Sequence, residues 1–241
     1  MTIRIFKTAE QATQAAVMLL AAQMIQKPDS VLGLATGSTP IPVYKELVRL
    51  YKEGLISFKE ITTFNLDEYC GLPVEHECSY HYFMKDLLFD HVDIPKGNYH
   101  LPNGNAADIA LEGKAYDAAI EKAGGIDLQL LGIGRNAHIA FNEPAESFVC
   151  GCHEVALTED TLEANRRFFA REEDMPRSAI TLGIGGIMAA KQVILLATGE
   201  NKADAIFQSI RGDMMPQVPG SILQGHQNVV FLLDEASAGK L

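Results

Sequence analysis

Short apolar runs alternate along the chain with longer stretches in which apolar residues recur every three or four positions. The first pattern suits strands and the second amphipathic helices. Ile3 to Phe6 reads as a strand. Thr8-Ala-Glu-Gln11 then has the form of a capping box, with Thr8 as N-cap and Gln11 reaching back. It predicts a helix to about Gln26, with Pro28 beyond its end. Val31 to Ala35 is a second predicted strand, broken by Thr36-Gly37-Ser38-Thr39-Pro40, and a helix from about Ile41 to Lys52 follows. A proline near that helix start costs little, because the first N–H groups of a helix have no partner anyway.

Ile61 to Leu66 reads as a third strand that stops at Asp67-Glu68. Ser79 to Phe89 predicts a helix, His91 to Asn105 is turn-rich, and Ala107 to Lys122 is helical. Leu128 to Ile133 is a strand opening into a glycine-rich segment, Gly132 to Pro144. After a variable-looking stretch come three more strands, at Ala179 to Ile184, Val193 to Ala197 and Val229 to Leu233. A helix from about Asn201 to Ile210 separates the last two. The alternation predicts an α/β fold, a doubly wound and mostly parallel sheet with helices on both faces, in a single domain over 1–241. No linker, low-complexity tract or internal repeat interrupts it. Ligands of such sheets bind beyond the carboxyl ends of the strands.

After the second strand, Thr36, Gly37, Ser38 and Thr39 offer backbone N–H groups, hydroxyls and a helix N-terminus, which suits an anion such as phosphate. The loop is not GxxxxGK[ST], and a glycine turn with hydroxyl caps is the competing reading. After the third strand, Asp67 or Glu68 is placed to act as a general base, though carboxylates in loops are usually solvated or capping a helix. Leu131 to Pro144 reads LGIGRNAHIAFNEP. His138 and Glu143 lie five residues apart in it. An imidazole oriented by a carboxylate is a common acid/base unit. A dinucleotide fingerprint would need GxGxxG; Ala137 takes the third position and no early strand–helix context supports it. Lys202, just past the Val193–Ala197 strand, can face the same edge as these groups, whereas Arg166 reads as solvated surface charge. Gly183-Ile-Gly185-Gly186 predicts a tight strand-to-helix connection.

Composition narrows the partners. Twenty Lys and Arg against 31 Asp and Glu give a formal charge of −11 over 241 residues, and 47% of residues are hydrophobic. That balance argues against nucleic acid and against an anionic membrane surface, but leaves room for a small anion held by a local cluster of cations. No apolar run reaches the roughly 18–20 residues needed to span a bilayer. Cys70, Cys78, Cys150 and Cys152 form no CxxC pair. A reduced, cytoplasmic protein is expected. Cys150, Cys152 and His153 are clustered, but with no second pair at zinc-site spacing they read as incidental rather than as metal ligands.

Several segments together resemble the glucosamine-6-phosphate deaminase family: LGLATGSTP, FNLDEYCGL, SYHYFM through FDHVDIPKGNYHLPNG, GIGRNAHIAFNEP and ANRRFF. They run in order from about residue 30 to residue 233. The LDEY and HIAFNEP blocks are specific, while the TGSTP loop is shared with 6-phosphogluconolactonases. The resemblance implies conversion of glucosamine 6-phosphate to fructose 6-phosphate and ammonia. It implies that Asp67 takes the C2 proton, that His138 opens the sugar ring and that Glu143 orients His138. The phosphate is implied to sit on Thr36–Thr39, with Arg167 and Lys202 adding charge. No metal or organic cofactor is implied.

Two departures qualify the resemblance. Many members carry Asp-Gly-His where this chain has Asn136-Ala137-His138, so a neutral amide replaces a carboxylate near the histidine. Shorter bacterial members share the RNAH pattern, and Asn136 is kept as a site residue with Glu143 as the remaining carboxylate. Longer, hexameric members carry a Ser-Arg-Thr element tied to allosteric activation, where this chain reads Cys150-Gly151-Cys152-His153. The allosteric site is expected to be absent, and monomer and homo-oligomer both stay open. A 6-phosphogluconolactonase-like hydrolase is the alternative enzyme, using the phosphate loop and His138 without a carbon base. A non-catalytic sugar-phosphate sensor would normally bring a basic or helix-turn-helix segment, which this sequence lacks.

Overall fold

The computed structural model describes residues 1–169, 171 and 174–241. The chain runs β1 (Thr2–Phe6), α1 (Ala9–Gln26), β2 (Val31–Leu34), α2 (Ile41–Lys52), β3 (Thr62–Asn65), β4 (Asp67–Tyr69), α3 (Tyr80–Leu87), β5 (Tyr99–His100) and α4 (Ile109–Lys122). It continues with β6 (Leu128–Leu131), β7 (His153–Ala156), α5 (Glu159–Asn165), β8 (Ser178–Thr181), α6 (Ile184–Met188), β9 (Gln192–Ala197), α7 (Ala203–Arg211) and β10 (Val229–Asp234). Seven strands form the main sheet in the order β1-β10-β9-β6-β2-β3-β5, and every neighbouring pair is parallel. The expected α/β architecture is therefore present.

Period-two alternation in the central strands explains why helices cover both faces. Ile194 and Leu196 of β9 and Leu32 and Leu34 of β2 join the core beneath α1, α2 and α3. Val193, Leu195 and Ala197 point the other way, into the core shared with α4, α6 and α7. Local capping fixes the helix starts. Thr8 accepts the Gln11 N–H, as the capping box requires. Gln11 reaches one residue past the cap, to the N–H of Lys7 at 3.1 Å.

The structure corrects the reading at four places. The third strand, read as Ile61 to Leu66, forms as β3, but it does not end in a loop at Asp67-Glu68. Leu66 donates its N–H to Leu34 but accepts from the N–H of Leu182, so the chain changes sheets at that residue. Asp67-Glu68-Tyr69 then pairs antiparallel with β8, and β8 pairs antiparallel with β7, forming a second sheet in the order β4-β8-β7. Of the Ala179–Ile184 run, Ala179–Thr181 thus belongs to this small sheet rather than the parallel one, and Ile184 already opens α6. The turn-rich segment holds the edge strand β5, and the unassigned stretch holds β7 and α5.

The topology places the site. β6 and β2 are neighbours, yet the chain leaves β2 for β3 on one side and β6 for β9 on the other. The loops after β2 and β6 therefore diverge and open a crevice at the carboxyl edge. The second sheet stands beside that edge and carries Asp67 to it.

Candidate active site

A cleft of about 160 Å³ opens at this edge, lined by the Thr36–Thr39 loop, Asp67, His138, Arg167 and Lys202. Asn136 and Glu143 stand behind His138 rather than on the wall. The sequence-predicted site residues thus converge.

The loop after β2 turns on Gly37, whose φ of 94° lies in the left-handed region that a side chain would strain. α2 begins at Ile41 with no side chain capping it, so its first N–H groups are left for an anion or water. Buried Tyr44 donates its hydroxyl to the carbonyl of Ala35 and ties α2 to the end of β2. Arg167 reaches Ser38 Oγ at 3.4 Å. Burial brings the Lys202 ammonium down to about 8; Arg135 pushes the same way, Asp160 opposes and Arg167 adds to the fall.

Period two on β4 separates the two carboxylates. Glu68 accepts the N–H groups of Tyr69, Tyr80 and His81, so it caps the start of α3 and is consumed structurally. Asp67 instead lines the cleft, and its one described hydrogen bond is from Thr36 Oγ1 at 3.5 Å. Burial pushes the Asp67 carboxyl up to about 8, the Glu68 charge beside it adds to the rise, and the Thr36 hydroxyl opposes it. Of the two candidates for a base, Asp67 is the one with access to a ligand.

His138 sits in a tight, irregular loop. Ala137 and Ala140 both have positive φ, 66° and 51°, which is unusual for residues other than glycine. Gly220 donates to the Ala137 carbonyl at 2.8 Å, and Asn142 donates to Ile139 and Leu182, so the loop is over-determined by its contacts. The imidazole lies against Gly134, where a Cβ would fall 2.6 Å from the ring.

The groups behind the ring fix its tautomer. His138 Nδ1 lies 3.3 Å from Glu143 Oε2 and 3.3 Å from Thr161 Oγ1. The Thr161 hydroxyl has one hydrogen and donates it to Glu143 Oε1. Towards His138 it can then act only as an acceptor, as can the Glu143 carboxylate. Nδ1 therefore carries the proton, and Nε2 keeps a lone pair with no hydrogen-bond partner among the described residues. Asn136 closes the cluster, donating to Glu143 Oε2 at 2.7 Å and accepting the His138 N–H at 3.2 Å. Burial opposes charge on Glu143, but the His138 ring, the Thr161 hydroxyl and the Asn136 amide hold its carboxyl below the ordinary range.

Thr161, Arg135, Asp160 and Tyr80 were not singled out from sequence. Thr158 caps α5 by accepting the Thr161 N–H, and the Thr158-Glu-Asp-Thr161 pattern is the signal that could have located that helix. Arg166 is exposed, as its surface reading expects. Cys150 is exposed and Cys152 buried. Among the described residues no three His, Cys, Asp or Glu side chains converge as a metal site. No described helix is long and apolar enough to cross a membrane.

Such a cleft combines an anion cradle, a carboxylate raised in basicity by burial and an imidazole of fixed tautomer. That set can move protons on a small phosphorylated molecule. Comparison with known proteins agrees. The glucosamine-6-phosphate deaminase of Clostridioides difficile (strain 630) is 51% identical over 241 residues, covering 100% of this chain and 97% of that protein. That of Alkaliphilus oremlandii (strain OhILAs) is 48% identical with both chains fully covered. The structure of a monomeric glucosamine-6-phosphate deaminase superposes with a TM-score of 0.97 at 41% identity over all of both chains. The 6-phosphogluconolactonase of Thermotoga maritima shares the fold, with a TM-score of 0.76 at 20% identity over 97% of this chain and 99% of that one. A family model for glucosamine-6-phosphate isomerases/6-phosphogluconolactonase matches residues 6–231, and the chain belongs to that family.

Proposed function

We propose that the protein converts glucosamine 6-phosphate to fructose 6-phosphate and ammonia. The observation that carries this reading is the pairing, in one cleft, of a buried carboxylate with an imidazole whose Nε2 is unengaged. The Thr36–Thr39 loop, Arg167 and Lys202 hold the phosphate, and that remote handle positions the sugar carbons. His138 Nε2 takes the anomeric hydroxyl proton and returns one to the ring oxygen, which opens the ring. Glu143 and Asn136 keep the imidazole in the tautomer that allows this, and Glu143 steadies the imidazolium. Asp67 then removes the proton from C2 and delivers it to C1. The nitrogen on C2 ends as an iminium; water adds to C2 and ammonia leaves, so the overall reaction consumes one water.

The raised basicity of Asp67 suits abstraction of a weakly acidic carbon proton, and the substrate's ammonium group favours the ionised carboxylate on binding. No metal or organic cofactor enters these steps. Residues 1–241 act as one catalytic domain, in the reducing cytoplasm, with a phosphosugar as partner rather than nucleic acid or membrane. Purified protein mixed with glucosamine 6-phosphate is expected to release ammonia and fructose 6-phosphate in equal amounts. Absence of turnover at millimolar substrate, or hydrolysis of 6-phosphogluconolactone instead, would overturn the assignment.

A further inference from the structure

We propose that Arg135 is a third cation of the phosphate site, paired with Asp160 until a phosphate arrives and then exchanged onto it. The inference rests on the phosphosugar reading above and extends it to two residues with no role there. Arg135 follows β6 and enters the cleft wall from the His138 loop, while Asp160 enters it from the first turn of α5. One guanidinium nitrogen donates to Asp160 Oδ1 at 2.8 Å and approaches its backbone carbonyl at 3.4 Å. Both side chains are about 40% exposed, and Glu163, the more distant partner at 3.7 Å, is 79% exposed. Ion pairs this open are weakly held and readily exchanged.

The charge count favours the exchange. Arg135, Arg167 and Lys202 face one cleft with two carboxylates, Asp160 and Asp67; burial keeps Asp67 protonated near neutral pH, so three cations against Asp160 leave two formal positive charges. A phosphate monoester dianion matches that number. Lys202 responds to Arg135, Asp160 and Arg167 alike, so the four groups share one local field. A guanidinium also suits phosphate geometrically, since it can donate two parallel hydrogen bonds where only one nitrogen now bonds the Asp160 carboxylate. In the free protein Asp160 keeps Arg135 oriented towards the cleft, and it competes with the incoming anion.

The competing account is a static clamp, in which the pair only fixes α5, and with it Thr161, behind His138. The two accounts predict different signs. With the intact protein, inorganic phosphate is titrated by calorimetry and used as a competitive inhibitor of glucosamine 6-phosphate turnover. Arg135→Gln is expected to weaken phosphate binding roughly tenfold and to raise KM in parallel, with the loss falling on KM rather than kcat. Arg135→Lys is expected to recover part of the affinity. Asp160→Asn is expected to tighten phosphate binding about threefold or more. Lys96→Gln, an exposed cation elsewhere, controls for net charge. Unchanged affinity in Arg135→Gln, or unchanged or weaker affinity in Asp160→Asn, overturns the inference. Deamination without these shifts overturns it alone, whereas the shifts without deamination overturn only the functional reading.

Discussion

Glu143 Oε2 lies 3.3 Å from His138 Nδ1, and its other oxygen is held by the Thr161 hydroxyl. The carboxylate is buried, so its charge acts on the ring through little solvent. Glu143→Gln keeps the shape but removes the charge and lets an amide N–H face Nδ1. The tautomer with a lone pair on Nε2 then loses its preference. We expect kcat/KM for deamination to fall about 100-fold, within the usual range for a general acid–base contribution. Inhibition by inorganic phosphate should stay at the wild-type level. A parallel loss of phosphate binding would mean that the residue holds up the cleft as a whole.

Thr161 is 2% exposed, and its single hydroxyl links α5 to both members of the pair. Thr161→Val preserves the side-chain shape and leaves Glu143 Oε1 without that donor. An unsatisfied buried acceptor costs about 1–3 kcal/mol, more for a charged one. We expect a Tm lower by several degrees together with a drop in kcat, and substantial recovery of both in Thr161→Ser. Wild-type kinetics in the valine variant would remove Thr161 from the positioning network.

Asp67 sets activity against stability. Its folded-state carboxyl is raised from 3.8 to about 8, chiefly by burial. Between those values the folded protein holds a proton that the unfolded chain has released. Stability therefore falls as pH rises through this window and stays lost above it. Asp67→Asn removes the ionisation. Its Tm should exceed that of the wild type by roughly 5 °C at pH 8, a few kcal/mol in a chain of this size, with a smaller gain at pH 4–5. Turnover should be abolished. For the wild type, kcat/KM should rise as the free enzyme's Asp67 ionises near pH 8, while phosphate affinity falls as Lys202 loses its proton near the same pH. A Tm difference that shrinks towards alkaline pH would contradict the sign of this argument.

The parallel sheet was legible because strands such as Val193 to Ala197 are continuous apolar runs, and the helices α1 and α3 carry clear starts at Thr8 and Ser79. The second sheet was not legible. Leu66 hands the chain from β3 to β4 without a turn residue, and the antiparallel pairing of Asp67 with Thr181 spans more than a hundred residues. The His138–Glu143 unit could be read because both residues lie in one short segment. Thr161 and Asp160 could not, since their proximity to that segment exists only after α5 folds over it. The choice between Asp67 and Glu68 likewise needed the backbone of α3, whose first N–H groups claim Glu68.

Gly134 offers a test of how closely the His138 ring must be held. Its backbone is not in the left-handed region, so alanine costs no conformational strain there. The cost is steric, because a Cβ would stand 2.6 Å from Cε1 and Nε2 of the imidazole and 2.7 Å from Cδ2. The ring cannot retreat without leaving Glu143 and Thr161, and the backbone of Gly134 is itself bonded to the His138 carbonyl at 2.9 Å. Gly134→Ala should therefore displace the His138 imidazole. A displacement of about 1 Å is enough to cost on the order of 100-fold in rate, while overpacking costs about 1–3 kcal/mol in stability. We expect kcat to fall at least that far in a protein that still folds and still binds inorganic phosphate, with the loss visible at every pH from 6 to 9. A Gly134→Ala variant with wild-type kcat would show that the ring tolerates a second position, and that Nε2 need not occupy the place the loop now gives it.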